Sequence, residues 1–126
     1  MKYIAYFDGS AKPNPGEMRI GGLIKDESGN IVGDYSRDLG YGTNNEAEYK
    51  SLILLVTGLV KHEIKNVTIY GDSALVVNQV NRTWKAKDGR MAALRDQAIE
   101  LLAGIPEWRL EHVRRGFNKE ADDLTR

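Results

Sequence analysis

The sequence contains no cysteine, so neither disulfides nor thiolate metal ligands enter its chemistry, and a reducing compartment suits it. Its two histidines, His62 and His112, stand too far apart in the chain to suggest a zinc site. Any metal is therefore expected to be a hard cation held by oxygen ligands. No apolar run approaches the ~18 residues of a membrane span, and the chain opens on an alternating strand pattern with no basic region followed by an apolar stretch. A cytoplasmic protein without membrane association is the expectation. Net charge is missing too: 18 basic residues balance 18 acidic ones, so global charge does not announce a nucleic-acid partner.

What is present is a chain of 126 residues, 41% of them hydrophobic, enough for one proper core. Residues 1–126 read as a single domain, expected to be monomeric. The charges are unevenly placed. Between Arg82 and Arg95 the basic residues Arg82, Lys85, Lys87, Arg90 and Arg95 face one acid, Asp88, with Trp84 among them. Separated patches of both signs are what a metal site beside a phosphate-binding surface needs.

Strand patterns cover 2–9, 18–26, 30–38, 67–71 and 107–113. The segment 10–16 (SAKPNPG) reads as a loop, Glu27–Asn30 as a hairpin turn, and Gly40–Thr43 as a short connection. Thr43 or Asn44 caps a helix running to about Lys61, and Asp72-Ser73 caps a short one to about Val80. A longer helix covers about 89–103, stopped by Gly104 and Pro106, and Asn118 is expected to cap a final turn ending at Arg126. The order β-β-β-α-β-α-α-β-α predicts an α/β fold with a mixed sheet. Its first three strands are antiparallel, and the later ones return through helices as parallel crossovers. Helices flank the sheet.

Four carboxylates stand out by placement. Asp8 ends the first strand, although Asp-Gly is also a common turn pair. Steps of 4, 3 and 4 from Glu48 reach Leu52, Leu55 and Leu59, the stripe that faces the sheet. Glu48 is thus a charge aimed inward and in need of a partner, either a cation or an arginine. The same steps from Glu46 reach a more polar face, where Lys50 is its expected partner. Asp72 ends an internal strand near the carboxyl edge of the sheet, where open α/β folds keep their sites, yet it is also a natural helix cap. Asp122 and Asp123 lie in the last helix. Together such acids can hold two divalent ions, one activating a water and the other stabilising a leaving oxygen in phosphoryl transfer. The lack of nitrogen and sulfur ligands favours Mg²⁺, or Mn²⁺, over zinc.

Asp8-Gly9-Ser10 with Asn14-Pro15-Gly16, Thr43-Asn44-Asn45-Glu46-Ala47-Glu48-Tyr49, Gly71-Asp72-Ser73 and Asn118-Lys119-Glu120-Ala121-Asp122 resemble the four successive motifs of type 1 ribonuclease H. They stand in that family's order and spacing across nearly the whole chain. The resemblance implies a five-stranded mixed sheet and an endonuclease that cuts the RNA strand of RNA–DNA hybrids with two metal ions, leaving 3′-hydroxyl and 5′-phosphate ends. It puts the catalytic and metal-binding carboxylates at Asp8, Glu48, Asp72 and Asp122. It puts Asn14, Thr43, Asn44 and Asn45 against the hybrid backbone and the RNA 2′-hydroxyls, the groups that distinguish RNA from DNA.

The sequence departs from the family in two places. The loop before the last helix reads Arg114-Arg115-Gly116-Phe117, where many relatives carry a histidine, and His112 is expected to be a packed strand residue. The long basic protrusion of some bacterial relatives is absent. Residues 81–90 are a shorter substitute, in which Trp84 with Lys85 and Lys87 is suited to the DNA strand. A hybrid-binding module without turnover, or a superfamily nuclease acting on another duplex, are the competing readings.

Overall fold

The computed structural model describes residues 1–125. Its elements follow the expected order: β1 (Tyr3–Lys12), β2 (Gly16–Lys25), β3 (Ile31–Gly42), α1 (Asn44–Lys61), β4 (Asn66–Gly71), α2 (Ala74–Val80), α3 (Gly89–Leu102), β5 (Glu107–His112) and α4 (Lys119–Asp123), with a 3₁₀ turn at Arg115–Phe117. They form one five-stranded sheet in the order β3-β2-β1-β4-β5. β1, β2 and β3 are antiparallel, and β4 pairs in parallel with both β1 and β5. Both the mixed sheet and the internal position of β4 match the sequence pattern. The expected run of the last helix to Arg126 lies outside the described residues at its final position.

The strand boundaries differ from expectation at the first hairpin. β1 continues through Ser10, Ala11 and Lys12, which pair with Arg19, Met18 and Glu17, so the loop shrinks to residues 13–15. β3 likewise runs past Leu39 to Gly42, helped by a register shift opposite Met18 and Arg19 and by Gly40 at φ +79°. The prolines and glycines there mark a tight reversal and a bulge, whereas the sequence alone made them look like loops.

The core lies between one sheet face and three helices. Ala5 and Phe7 of β1, Val67 and Ile69 of β4 and Leu110 of β5 meet Leu52, Leu55, Val56 and Leu59 of α1. Val76, Val77 and Val80 of α2 and Ala98 and Leu102 of α3 complete it. Burying each of the Val, Leu, Ile and Phe side chains among these stabilises the fold by about 1.5–3 kcal/mol. The helix periodicity that singled out Leu52, Leu55 and Leu59 thus fixes how α1 lies on the sheet. Thr43 caps α1 in a reciprocal pair: its Oγ1 accepts from Glu46 N, and Glu46 accepts from Thr43 N. On the other face α4 rests on β1 and β2 beside Gly21, the partner of Asp8 in the ladder. No helix among the described residues is long and apolar enough to cross a membrane.

Candidate active site

Asp8 sits inside β1, where the neighbouring β4 leaves the sheet: the parallel ladder ends at Phe7 and Gly71, and Asp72 follows at once. The sheet opens at that point and leaves room for a side chain from α1. Glu48 enters because Gly9 allows close approach, since a Cβ there would press on the Ala47 carbonyl and lie 2.7 Å from Glu48 N. One carboxylate oxygen each from Asp8, Glu48 and Asp72 then lies within 4.8 Å of the others. Asp122, brought by α4, lies close enough to raise the Asp8 carboxyl and accepts from Arg115 Nη2 at 3.3 Å.

This cluster is electrostatically unfavourable by itself. Burial first, then the charges of Asp72 and Asp122, pushes Asp8 up to about 8 against the pull of Arg115. Burial and the charges of Asp8 and Asp72 push Glu48 well above the carboxylate range, with a hydrogen bond from Gly9 N opposing them. Glu48 Oε1 is fully enclosed, and no donor among the described residues reaches it. Acids gathered this closely, one with a buried orphan oxygen, fit a hard divalent cation as their missing partner.

Asp8, Glu48 and Asp72 line an open cleft of about 310 Å³ with Asn44, Asn45 and Arg115. An adjoining cleft of about 370 Å³ shares Asn45 and includes Asn14, Thr43, Glu46 and Arg90. Asn44 Oδ1 accepts from Ala11 N at 2.6 Å, and Asn14 Oδ1 accepts from Asn44 N at 3.0 Å. These two amides therefore hold the β1–β2 reversal against the start of α1, with their carbonyl ends engaged. Trp84 and Lys85 lie outside both clefts, exposed on the segment between α2 and α3. A groove of about 500 Å³ between Leu23, Tyr35 and His62 is at the other end of α1 and has no acidic cluster among its lining residues.

Three expectations need correction. Glu46 is not paired with Lys50. It bonds Arg90 Nη1 at 3.0 Å, across to α3, and the arginine and Thr43 hold its carboxyl below the usual range against the opposing effect of burial. His112 is exposed, with Nε2 3.3 Å from the Asp72 carbonyl, because the strand ends there and the helices no longer cover it. Asn118 stands before α4 but makes no side-chain cap. It is buried, and its Nδ2 donates to Phe7 O at 2.8 Å and Asp72 Oδ2 at 3.4 Å. Asn118 thus ties β1, Asp72 and α4 together, a role hidden by its resemblance to an ordinary cap. Its place at the head of the fourth motif was the available signal.

The reverse transcriptase-like family matches residues 6–126. Ribonuclease HI of Halobacterium salinarum is 36% identical over 120 residues, 95% of this chain and 60% of that protein's length. The chain therefore spans well under the full length of that relative. The crystal structure of RNase H1 from the halophilic archaeon Halobacterium salinarum superposes with a TM-score of 0.94 at 35% identity, covering 98% of this chain and 94% of that one. LC11-RNase H1, isolated from compost and solved in complex with an RNA/DNA hybrid, superposes at 0.90 with 31% identity, covering 97% and 92%.

Proposed function

This chain belongs to the type 1 ribonuclease H family, and on that footing we propose that it is an endonuclease hydrolysing the RNA strand of RNA–DNA hybrids. The observation that carries this reading is the set of three carboxylate oxygens within 4.8 Å at the point where the sheet opens. Asp8, Glu48 and Asp72 would hold the metal, with Asp122 completing the set from α4. Two ions, Mg²⁺ or Mn²⁺, would there supply an activated water and charge stabilisation for the leaving oxygen. The water oxygen would bond to phosphorus as the bond to O3′ breaks, the water losing a proton to solvent and O3′ taking one up, which leaves 3′-hydroxyl and 5′-phosphate ends.

The chain's own groups do the positioning. Burial and mutual repulsion raise the Asp8 and Glu48 carboxyls, and bound cations would supply the counter-charge that favours their ionised forms. Arg115 holds Asp122 at the cleft and offsets the negative charge around Asp8. Asn14, Thr43, Asn44 and Asn45 line the clefts, and their amide and hydroxyl groups suit the backbone and 2′-hydroxyls of an RNA strand. Trp84 and Lys85 suit the DNA strand, the indole against a sugar or base and the ammonium against a phosphate. LC11-RNase H1, with its bound RNA/DNA hybrid, supports this partner. We place the enzyme in the cytoplasm as a monomeric single domain.

The test offers labelled RNA–DNA hybrid, duplex RNA and duplex DNA to wild type, Asp8→Asn and Glu48→Gln, with Mg²⁺, Mn²⁺ or chelator. Hybrid cleavage is expected only with metal, and each substitution is expected to reduce it by roughly a hundredfold or more. Cleavage that survives chelation, or both substitutions, refutes the metal-dependent reading. Binding of hybrid without cleavage in any metal points to a binding module instead.

A further inference from the structure

Gln79 is buried, 4% exposed, on α2 among Val76, Val77 and Val80. An amide in such a setting is costly unless both its ends are bonded. Both are: Tyr49 Oη donates to Gln79 Oε1 at 2.5 Å, and Gln79 Nε2 donates to the Lys85 carbonyl at 3.3 Å. Tyr49 is fully buried and follows Glu48 on α1, while Lys85 follows Trp84. One side chain therefore links the helix that carries Glu48 to the backbone of the basic segment.

The rest of that segment is pinned at its ends. Thr83 N and Trp84 N donate to Asn78 O at 2.9 and 3.1 Å, and Thr83 Oγ1 donates to Asn78 Oδ1 at 2.7 Å. Arg82 takes the left-handed φ of +63° to make this reversal, and Asn81 Nδ2 donates to Leu110 O on β5. On the far side Asp88 caps α3, and Arg90 reaches Glu46 on α1. Trp84 and Lys85 remain exposed between these fixed points.

We propose that Gln79 is a positioning residue for hybrid binding, fixing the spacing between the Trp84–Lys87 segment and the carboxylate cluster through Tyr49 and the Lys85 carbonyl. This rests on the hybrid-nuclease reading above. Two contacts on one substrate reinforce each other only when their separation matches it. A buried amide bonded at both its ends specifies such a separation, whereas an apolar side chain of equal size fills the space and leaves the Lys85 carbonyl free to shift.

The experiment compares wild type with Gln79→Met, Gln79→Glu, Tyr49→Phe and Trp84→Ala. Affinity for a fluorescent RNA–DNA hybrid is read by anisotropy, kcat and KM with Mg²⁺, and cut positions on a hybrid of fixed sequence. Thermal melts establish that each variant is folded. Gln79→Met is expected to weaken affinity and raise KM about fivefold to tenfold, leave kcat within about twofold, and spread the cut positions. Gln79→Glu keeps the acceptor for Tyr49 but sets a carboxylate against the Lys85 carbonyl, and is expected to match it. Tyr49→Phe, which removes only the hydroxyl, is expected to weaken affinity about threefold and decides the matter should the Gln79 variants not fold. Loss of affinity in Trp84→Ala, with wild-type affinity and cut positions in the folded variants of Gln79 and Tyr49, overturns this proposal alone. Wild type that neither binds nor cuts hybrid overturns the functional reading and this proposal with it.

Discussion

Glu46 and Glu48 stand two positions apart on α1, and their surroundings drive them in opposite directions. Glu46 meets a guanidinium and a helix cap and stays ionised, while Glu48 meets two other acids and resists ionisation. The helical stripe separated these roles in the sequence, because the face of a helix follows from spacing alone. The partner of Glu46 was not legible, since Arg90 is 44 residues distant and reaches it only through the packing of α3 on α1. The strain around Asp8 has a measurable sign. An unfolded Asp8 loses its proton near 3.8, and the folded one keeps it until about 8. Between those values the folded state binds more protons, so metal-free stability falls as pH rises through this window and then levels off. In chelator, Asp8→Asn is therefore expected to melt higher than wild type at about pH 9, by about 4 °C for each kcal/mol of repulsion relieved. The gap should narrow towards pH 4 and should also narrow when Mg²⁺ stabilises wild type. A variant melting below wild type at high pH without metal contradicts the electrostatic account.

At the scale of elements, the dependent piece is α4, five residues long and unable to hold itself. It is held by Ser36 Oγ, which donates to Leu124 O, by the Lys25–Glu120 ion pair at 2.5 Å, and by the absence of a side chain at Gly21. A Cβ on Gly21 would lie 2.6 Å from Leu124 Cβ and 3.0 Å from Ala121 O. Gly21→Ala is expected to displace α4 and Asp122, lowering kcat by roughly tenfold to a hundredfold and stability by only about 1–2 kcal/mol. Initial rates and urea unfolding separate the two effects, and an unchanged kcat would show that α4 tolerates the methyl group. Thr43→Ala removes the reciprocal cap of α1 and is expected to cost about 1 kcal/mol in the same unfolding assay. Helix starts were legible because capping residues advertise themselves locally. The true ends of β1 and β3 were not, because pairing across the sheet carries residues 10–12 and 40–42 into the ladder and leaves only Pro13 to Pro15 as the reversal.

For the whole molecule, zero net charge hides a local arrangement. Acids converge where the sheet opens, while Arg82, Lys85 and Lys87 gather on the segment after α2. Hybrid affinity should therefore depend on salt through few contacts. Replacing Lys85 and Lys87 by alanine is expected to lower the slope of log affinity against log salt by roughly one for each lysine that meets a phosphate. Trp84→Ala should lower affinity with the slope unchanged. Anisotropy titrations over a salt series measure both, and an unaltered slope in the lysine variant would remove this segment from the interface. The topology was legible in outline, since a hairpin followed by helix-linked strands admits few arrangements. The bonds of Gln79 to Tyr49 and of Asn118 to Phe7 were not, because they join residues distant in sequence whose types look unexceptional.

The bond from Asn118 to the Phe7 carbonyl spans 111 residues, and it connects the first strand to the start of the helix that brings Asp122. Protein synthesis is vectorial, so Asp8, Glu48 and Asp72 leave the ribosome well before the segment that carries Asn118 and Asp122. A growing chain can build the sheet but cannot complete the carboxylate set until that segment has emerged. The order of residues thus makes the carboxylate set the last part of this fold to close.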